Sequence, residues 1–450
     1  MKRNGASSDA KATQVRGRRP HRAGHVGHAE LDRLRSRVRD HSYAVGALSG
    51  LARRLGGSFV GLDIAEPDLP TPRPVVRAMV RALRERPEAT HYTRIRALPE
   101  FAEAVSAYLA REFGVPVDPE TQVLATVGSG EGLYITFSAI VEPGDELLLP
   151  NPTFSNYAAI LQLLGGRPRF VPTDERFHLD LGAVEAGVGR RTKAIVLCHP
   201  NNPTGAVYEA RELEGILGIA ERHRLLVLSD ENYAPLVYDG RPFRSFAALS
   251  GAAERTILVS GLSKAHAMTG WRLGYVVAAP ELSDQFEKVA FEIRGSVNTA
   301  VQWAGAAALG LPRSYLDGVR RHYDAHRHLV VNGLREAGLD VPLPEAGFEV
   351  FPRVPNGFAD GSAWTEHLAR TARVLVKPGA YFGPAGRDRV RLVYSVSRPT
   401  REEALSRLGR ALGGARAPGS GPRRAPPRRE SRSSRAAGRT AAGRAPTGTV

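Results

Sequence analysis

Short apolar runs alternate with longer amphipathic patterns between residues 120 and 280. Helical periodicity fills several of the intervals, for example residues 130–140 and 210–224. Alternation of this kind predicts an α/β domain built on a largely parallel sheet of seven strands. The runs predicted as strands are 123–127, 146–150, 168–172, 194–199, 225–229, 256–260 and 274–279.

The pattern changes after residue 280. A helical stretch over 283–310 leads out of the α/β domain, and the remainder predicts a smaller α+β unit with helices at 315–337 and 364–373 and a strand at 389–396. We therefore expect a large domain, a small domain and two tails. The predicted divisions are a basic, disordered extension at 1–44, an N-terminal segment packing on the small domain at 45–60, the large domain at 61–300, the small domain at 301–412 and a disordered Arg/Pro/Gly-rich tail at 413–450.

The net charge of +16 is concentrated at the two ends of the chain. Residues 1–40 carry 11 Lys/Arg against 4 Asp/Glu, and residues 413–450 carry 9 Arg against Glu430 alone, so the ends contribute +7 and +8 and the rest only +1. A nearly neutral body argues against specific nucleic-acid binding. No apolar run is long enough for a membrane span, no signal-peptide core is present, and the single cysteine, Cys198, excludes an internal disulfide. We expect a cytoplasmic protein.

Unusual polar residues follow several of the predicted strands. Gly128-Ser129-Gly130 follows the first strand, Asn202 the fourth, Asp230 the fifth and Lys264 the sixth. Ligands of open α/β sheets bind at the carboxyl ends of the strands. These residues are therefore expected to share one crevice.

Lys264 stands in the small-residue turn Ser260-Gly-Leu-Ser-Lys264, and Arg272 follows eight positions later. Only six of the 62 basic residues are lysines, so a lysine here suggests a chemical role. A lysine can form a Schiff base with an aldehyde, and an arginine can hold a phosphate through several donors. Pyridoxal 5'-phosphate (PLP) carries both groups. A solvated surface lysine is the alternative.

Four further residues suit the ring of such a cofactor. Asp230 can pair with a protonated pyridine nitrogen, and Tyr233 and Asn202 can donate to the phenolic oxygen. Phe154, on the loop after the second strand, can stack on a planar ring. A turn at the core edge explains Asp230 and Tyr233 equally well, and Phe154 can equally be a core aromatic.

Anion-binding groups are predicted at both ends of the crevice. Ser129 and Gly130 open a helix, where backbone N–H groups approach an anion closely, and Ser263 would complete a phosphate site with Arg272. Arg391 lies in an apolar strand, where a planar bidentate donor suits a substrate α-carboxylate. The alternatives are a tight turn for the first group and an ion pair for Arg391. No metal site is predicted.

Taken together, these segments resemble the class I/II aminotransferases, the fold type I PLP enzymes, over about residues 58–412. The motifs that carry the resemblance are Leu62-Asp-Ile-Ala-Glu-Pro-Asp-Leu-Pro-Thr-Pro72, Tyr92-Thr93, Asn201-Asn-Pro-Thr-Gly205, Asp230-Glu-Asn-Tyr233, Ser263-Lys264 with Arg272, and Val376-Lys-Pro-Gly-Ala-Tyr-Phe-Gly383 followed by Arg391.

The resemblance implies a ping-pong transfer of an amino group between an amino acid and a 2-oxo acid. It makes Lys264 the Schiff-base lysine and proton carrier, with Asp230 and Tyr233 as further catalytic residues. Tyr92 would reach the cofactor phosphate of the partner subunit in a homodimer with shared sites. Substrate would contact Arg391, Asn202 and Ala65. A PLP lyase cleaving a C–S bond or a racemase on the same scaffold stays open, as does, more remotely, a PLP-sensing DNA-binding regulator.

Four positions depart from the family pattern. Ala65, Ala97 and Gly261 stand where the family has glycine, glycine and serine, and Ala102 replaces an arginine. None of these changes removes a catalytic group.

Arg94 and Arg96 alternate beside Tyr92 and would face the same way in an extended segment. Either they recognise a second carboxylate on the substrate, or they are a solvated pair.

Overall fold

A computed structural model describes residues 44–413, so the tails predicted as disordered lie almost entirely outside the described residues. The α-helices are α1 Ala44–Leu55, α2 Arg73–Glu85, α3 Pro99–Phe113, α4 Ser129–Ile140, α5 Ser155–Leu163, α6 Leu181–Gly187, α7 Ala210–His223, α8 Pro280–Arg294, α9 Thr299–Leu309, α10 Arg313–Glu336, α11 Gly361–Thr371 and α12 Arg398–Gly413. The strands are β1 Val60–Gly61, β2 Val123–Thr126, β3 Glu146–Asn151, β4 Arg167–Pro172, β5 Thr192–Cys198, β6 Leu226–Asp230, β7 Thr256–Gly261, β8 Gly274–Val277, β9 Glu349–Val350, β10 Val374–Leu375, β11 Lys377–Pro378 and β12 Val390–Val393. Short 3₁₀ turns lie at Pro87–Thr90, Ala234–Leu236, Phe246–Ala248, Thr269–Trp271, Gly379–Phe382 and Pro384–Gly386.

The main sheet has seven strands in the order β2-β8-β7-β6-β5-β3-β4. The pairings from β7 to β4 are parallel, and β8 is antiparallel to both of its neighbours. The predicted α/β class with a mostly parallel seven-stranded sheet is therefore confirmed. Each strand lies within two residues of its predicted bounds. All of them except β4 are largely buried, and strands buried on both faces have nearly continuous apolar sequences.

Helices cover both faces of this sheet. On β6, Leu228 packs in one apolar cluster with Leu133 of α4, while its neighbour Val227 packs in another with Leu213 and Ile216 of α7. Successive strand residues point to opposite faces, so one strand supplies both cores. With both faces filled, the carboxyl edge of the sheet is left as the place for chemistry.

A separate three-stranded antiparallel sheet has the order β11-β12-β9. Lys377 pairs with Arg391, and Val393 pairs with Glu349. Directly opposite residues, and residues two apart on a strand, share a face of the sheet. The register therefore places Lys377, Arg391 and Glu349 on one face.

The helical stretch predicted over 283–310 is divided into α8 and α9. Gly295 has φ +69°, which ends α8, and the Asn298 side chain accepts a hydrogen bond from the N–H of Val301 to begin α9. Between residues 44 and 413, no helix is both long and apolar enough to cross a membrane.

Candidate active site

Lys264 lies just beyond the carboxyl end of β7 and is partly buried. Its Nζ donates a hydrogen bond to the carbonyl oxygen of Ala65 at 2.6 Å, and lies 5.8 Å from the ring centre of Phe348. Burial lowers the pKa of Lys264 to about 8, helped by the positive charge of Arg391 and opposed by Glu349 and Asp230. About a tenth of this amine is neutral at pH 7, against fewer than about one in a thousand for an ordinary lysine.

Asp230 is the last residue of β6 and is buried. One carboxylate oxygen accepts from the Tyr157 hydroxyl at 2.8 Å, and the other from the Asn232 side-chain amide at 2.7 Å. Burial raises the pKa of Asp230, and these two hydrogen bonds oppose that rise. Phe154 is partly buried and meets Tyr157 edge to face, with ring centres 5.5 Å apart. An acid held in this way is a fixed partner for a cationic ring nitrogen.

The turn after β2 forms an open cradle at the N-terminus of α4. Gly128 has φ +75°, and a Cβ there would stand 2.7 Å from an Nη of Arg272, so the guanidinium lies directly against the turn. A Cβ on Gly130 would meet nothing within 4 Å. Ser129 begins α4, and Ser263 is buried on the β7 side. Open helix-end N–H groups beside an arginine favour an anion such as a phosphate.

Arg391 lies on β12 and is 2% exposed. One Nη donates to Oδ1 of Asn202 at 3.3 Å, and the other donates to the carbonyl oxygen of Asp63. Its Nε is buried without a hydrogen-bond partner within the described chain. A buried charge with an unused donor is a site for an incoming acceptor, and a carboxylate matches the geometry of a guanidinium.

Tyr233 and Lys377 are two further polar residues near Lys264 and Arg391. The Tyr233 hydroxyl donates to Oε1 of Glu349, a pairing that was not predicted. Burial, together with the positive charge of Arg391, lowers the pKa of Lys377 to about 8, while the negative charge of Asp63 opposes this shift. Burial in turn raises the pKa of Asp63.

Tyr92 stands apart from this crevice in the single chain and is 92% exposed. Arg94 donates to Glu120 at 2.7 Å, and Arg96 binds Glu287 and the carbonyl oxygen of Thr121. Both arginines are thus engaged by groups of their own chain, which does not support a second-carboxylate role.

The departures from the family pattern fit the local packing. Ala97 and Ala102 are buried in the core. A Cβ on Gly261 would lie 3.3 Å from both Oδ1 of Asn232 and the carbonyl oxygen of Leu273, so a serine would be tight there. Ala65 supplies the carbonyl that holds Lys264.

Sequence reasoning missed Tyr157, Glu349, Asp63 and the placement of Lys377. Tyr157 lies in a helix and Glu349 in a short strand, and neither position carries a polar strand-end signal. The scarcity of lysine could have directed attention to Lys377, since it is one of only six lysines in the chain.

Comparison with known proteins gives a consistent result. Residues 58–408 match the family model described as aminotransferase class I and II. The chain is 37% identical over 371 residues to aromatic-amino-acid aminotransferase 2 of Thermococcus litoralis, covering 81% of this chain and 94% of that protein. It is 36% identical over 357 residues to the aspartate aminotransferase of Pyrococcus abyssi, covering 78% and 91%. The crystal structure of an aromatic aminotransferase from Pyrococcus horikoshii superposes with a TM-score of 0.76 at 36% identity, covering 82% and 99%.

Proposed function

The chain belongs to the class I and II aminotransferase family and is an aminotransferase, and from this premise we propose that it binds PLP in the crevice around Lys264. The observation that carries the proposal is the convergence of Lys264, Asp230 and Arg391 from three separate strands or strand ends on one crevice. Each is a buried or partly buried charged group, which folded proteins retain where it is paired or used.

The residues present fit this cofactor. The cradle at Gly128 and Gly130, backed by Arg272, has the room and the donors for a phosphate. The carboxylate of Asp230, which accepts a hydrogen bond from the Tyr157 hydroxyl, would hold the proton of a pyridine nitrogen. When bound, PLP supplies an electrophilic aldehyde carbon and a ring that accepts the electron pair released at the substrate Cα.

Lys264 is proposed as the acid and base of the reaction. The neutral amine would take the proton from Cα of the substrate, and the resulting ammonium would return a proton to the former aldehyde carbon of the cofactor. A pKa of about 8 makes both forms accessible near neutral pH.

Arg391 is proposed to bind the substrate α-carboxylate. Asn202 and the Asp63 carbonyl hold the guanidinium in one orientation, leaving its Nε–H free for the substrate. All amino acids and 2-oxo acids share this carboxylate, so one arginine serves both halves of a ping-pong cycle. The relatives are named for aromatic amino acids and for aspartate, so family membership does not select the side chain.

Tyr92 supports a further proposal, that the enzyme is a homodimer with shared sites. An aromatic side chain 92% exposed at the start of the loop that resembles the family's phosphate-reaching segment fits a role in the partner's crevice.

The test is reconstitution with PLP followed by a scan of amino donors, measuring oxo-acid formation with and without an added acceptor. We expect a yellow protein, label at Lys264 after borohydride reduction, and more than one equivalent of oxo acid per site only when an acceptor is present. Ammonia, or pyruvate formed over many turnovers, without any acceptor would favour a lyase instead.

A further inference from the structure

Asp68, His322 and His326 form a cluster of possible metal ligands, and none of the three is assigned to the cofactor or the substrate. One nitrogen or oxygen atom of each side chain lies within 4.8 Å of the other two. Nε2 of His322 is 3.1 Å from Oδ1 of Asp68, and the two imidazole rings have centres 4.1 Å apart. Two imidazoles and a carboxylate are a ligand set that divalent transition metals prefer.

The two histidines lie on one face of α10. They are four positions apart, and residues with this spacing on a helix are neighbours on its surface. The same spacing brings two histidines to one zinc ion in helical metal-binding motifs. Asp68 comes from a segment 254 positions before His322, so the third ligand leaves no local pattern in the sequence.

His326 has a nitrogen atom that is available for a new interaction. Its Nδ1 is buried and makes no hydrogen bond within the described chain. Burial, together with the positive charges of Arg401 and His322, lowers the pKa of His326 to about 4, while Asp68 opposes this shift. The imidazole is therefore neutral at pH 7, and a neutral imidazole is the form that binds a metal.

Arg401 lies near the cluster but does not neutralise it. Its Nη1 donates to the carbonyl oxygen of Val396 at 2.8 Å, and among the described residues no ion pair joins it to Asp68. The Asp68 side chain is 13% exposed and that of His322 is 30% exposed. An ion can therefore reach the cluster from solvent.

A second cluster that includes α10 residues shows the contrast. Asp239, Asp324 and His328 also lie close together. Both of these carboxylates are bound by the buried guanidinium of Arg327, at 2.6 Å and 2.7 Å. The arginine already supplies the positive charge that a metal ion would bring, so this second cluster is an ion-pair network.

We propose that Asp68, His322 and His326 bind one divalent transition-metal ion such as Zn²⁺. Zinc binds imidazole nitrogen and carboxylate oxygen at about 2.0–2.2 Å, so the ligand atoms of a tetrahedral ion lie about 3.4 Å apart. Asp68 and His322 are already at about this separation, and bringing in His326 from 4.8 Å at most takes about 1.4 Å. The ion would tie the segment that follows Ala65 to α10. This cluster revises the expectation that the chain has no metal site.

Zinc titration by calorimetry tests the proposal on the full-length protein, purified with its cofactor and without an affinity tag. His322→Gln should weaken the binding of one zinc equivalent by more than about a hundredfold, because even loss of an outer-shell partner costs about 10- to 100-fold in metal affinity. His328→Gln is the matched control, since it makes the same change on the same helix at a side chain that is 51% exposed. It should leave this affinity unchanged.

Two further measurements separate this site from zinc bound elsewhere, for example at His21, His25 and His28, which lie outside the described residues. Zinc should raise Tm of the wild type and of His328→Gln more than that of His322→Gln, because an ion that binds the folded cluster stabilises the fold. Excess Mg²⁺ should not displace this zinc equivalent, since Mg²⁺ takes oxygen ligands.

Three outcomes would overturn the inference. They are an unchanged zinc affinity in His322→Gln, an equal loss in His328→Gln, and displacement of the zinc by Mg²⁺. Asp68→Asn keeps the size of the side chain, removes its charge and should weaken zinc binding by at least about tenfold, which decides the matter if His322→Gln does not fold. Zinc binding is measured without any turnover, so a failure of the proposed function would leave this inference standing.

Discussion

Replacing Arg391 tests the proposed carboxylate site in detail. A guanidinium has five N–H donors, and Arg391 uses one on Asn202 and one on the Asp63 carbonyl. Three therefore remain, including the buried Nε–H, which is enough for a bidentate grip on one carboxylate. Each hydrogen bond to a charged group is worth about 1.5–3 kcal/mol.

The size of the effect follows from that count. Arg391→Met removes two such bonds, about 3–6 kcal/mol, so kcat/KM should fall by about a hundred- to ten-thousandfold. Arg391→Lys keeps the charge but offers one compact donor group, so it should lose about ten- to a hundredfold. Steady-state kinetics with an amino acid and with a 2-oxo acid should show the same loss, because both carry the carboxylate.

A matched control and a truncated substrate make the test specific. Arg389 is also buried, but it donates to the carbonyl oxygen of Phe351 and lies over the ring of Phe177. Arg389→Lys should lower Tm while leaving kcat/KM nearly unchanged. With an amine that lacks the α-carboxylate, Arg391→Met should cost little relative to wild type. An equal loss with the amine and the amino acid would refute the carboxylate role.

Further predictions concern the catalytic groups and the assembly. Asp230→Asn should still bind PLP but react more than about a thousandfold more slowly, because about 4 kcal/mol or more of carbanion stabilisation depends on a protonated ring nitrogen. A rate within tenfold of wild type, measured by single-turnover absorbance, would exclude that role for Asp230. The half-reaction with an amino acid should accelerate as pH rises through the pKa of the Lys264 amine, since its neutral form takes the Cα proton, and a rate that falls over that range would contradict the base assignment. Burial lowers the pKa of Lys264 from its ordinary value near 10.5 to about 8 in the folded protein, so between these two pH values the unfolded chain binds more protons than the folded one. The contribution of Lys264 to stability, measured by urea unfolding, should therefore increase with pH across that window. Mixing inactive Tyr92→Phe and Lys264→Ala proteins should restore part of the activity through hybrid dimers, whereas an active monomer by light scattering would rule out shared sites.

Much of the fold was predictable because its main sheet is buried on both faces. Such strands consist of consecutive apolar residues, and polar residues such as Asp230 and Lys264 stand at or just after their carboxyl ends. Parallel packing then brings these ends together without further information. The split between α8 and α9 was harder to predict, because it depends on one glycine with positive φ.

The rest of the candidate site depends on contacts distant in sequence. Tyr157 reaches Asp230 across 73 positions, and Tyr233 reaches Glu349 across 116. Neither pairing leaves a local pattern, since a tyrosine in a helix and a glutamate in a short strand are both ordinary. The pairing of Arg94 with Glu120 likewise needed the tertiary structure to be seen.

If the Lys264 amine performs the chemistry at a PLP site, its removal should abolish proton transfer but not cofactor binding, and single-turnover kinetics of Lys264→Ala measure this. The variant should still take up PLP through the cradle at Gly128 and Arg272, measured by equilibrium dialysis, while proton transfer at Cα falls by at least about a thousandfold. Lys264→Arg, which keeps the positive charge but not a titratable amine, should fail to the same extent. Transamination by either variant at the wild-type rate, with PLP bound, would contradict the account.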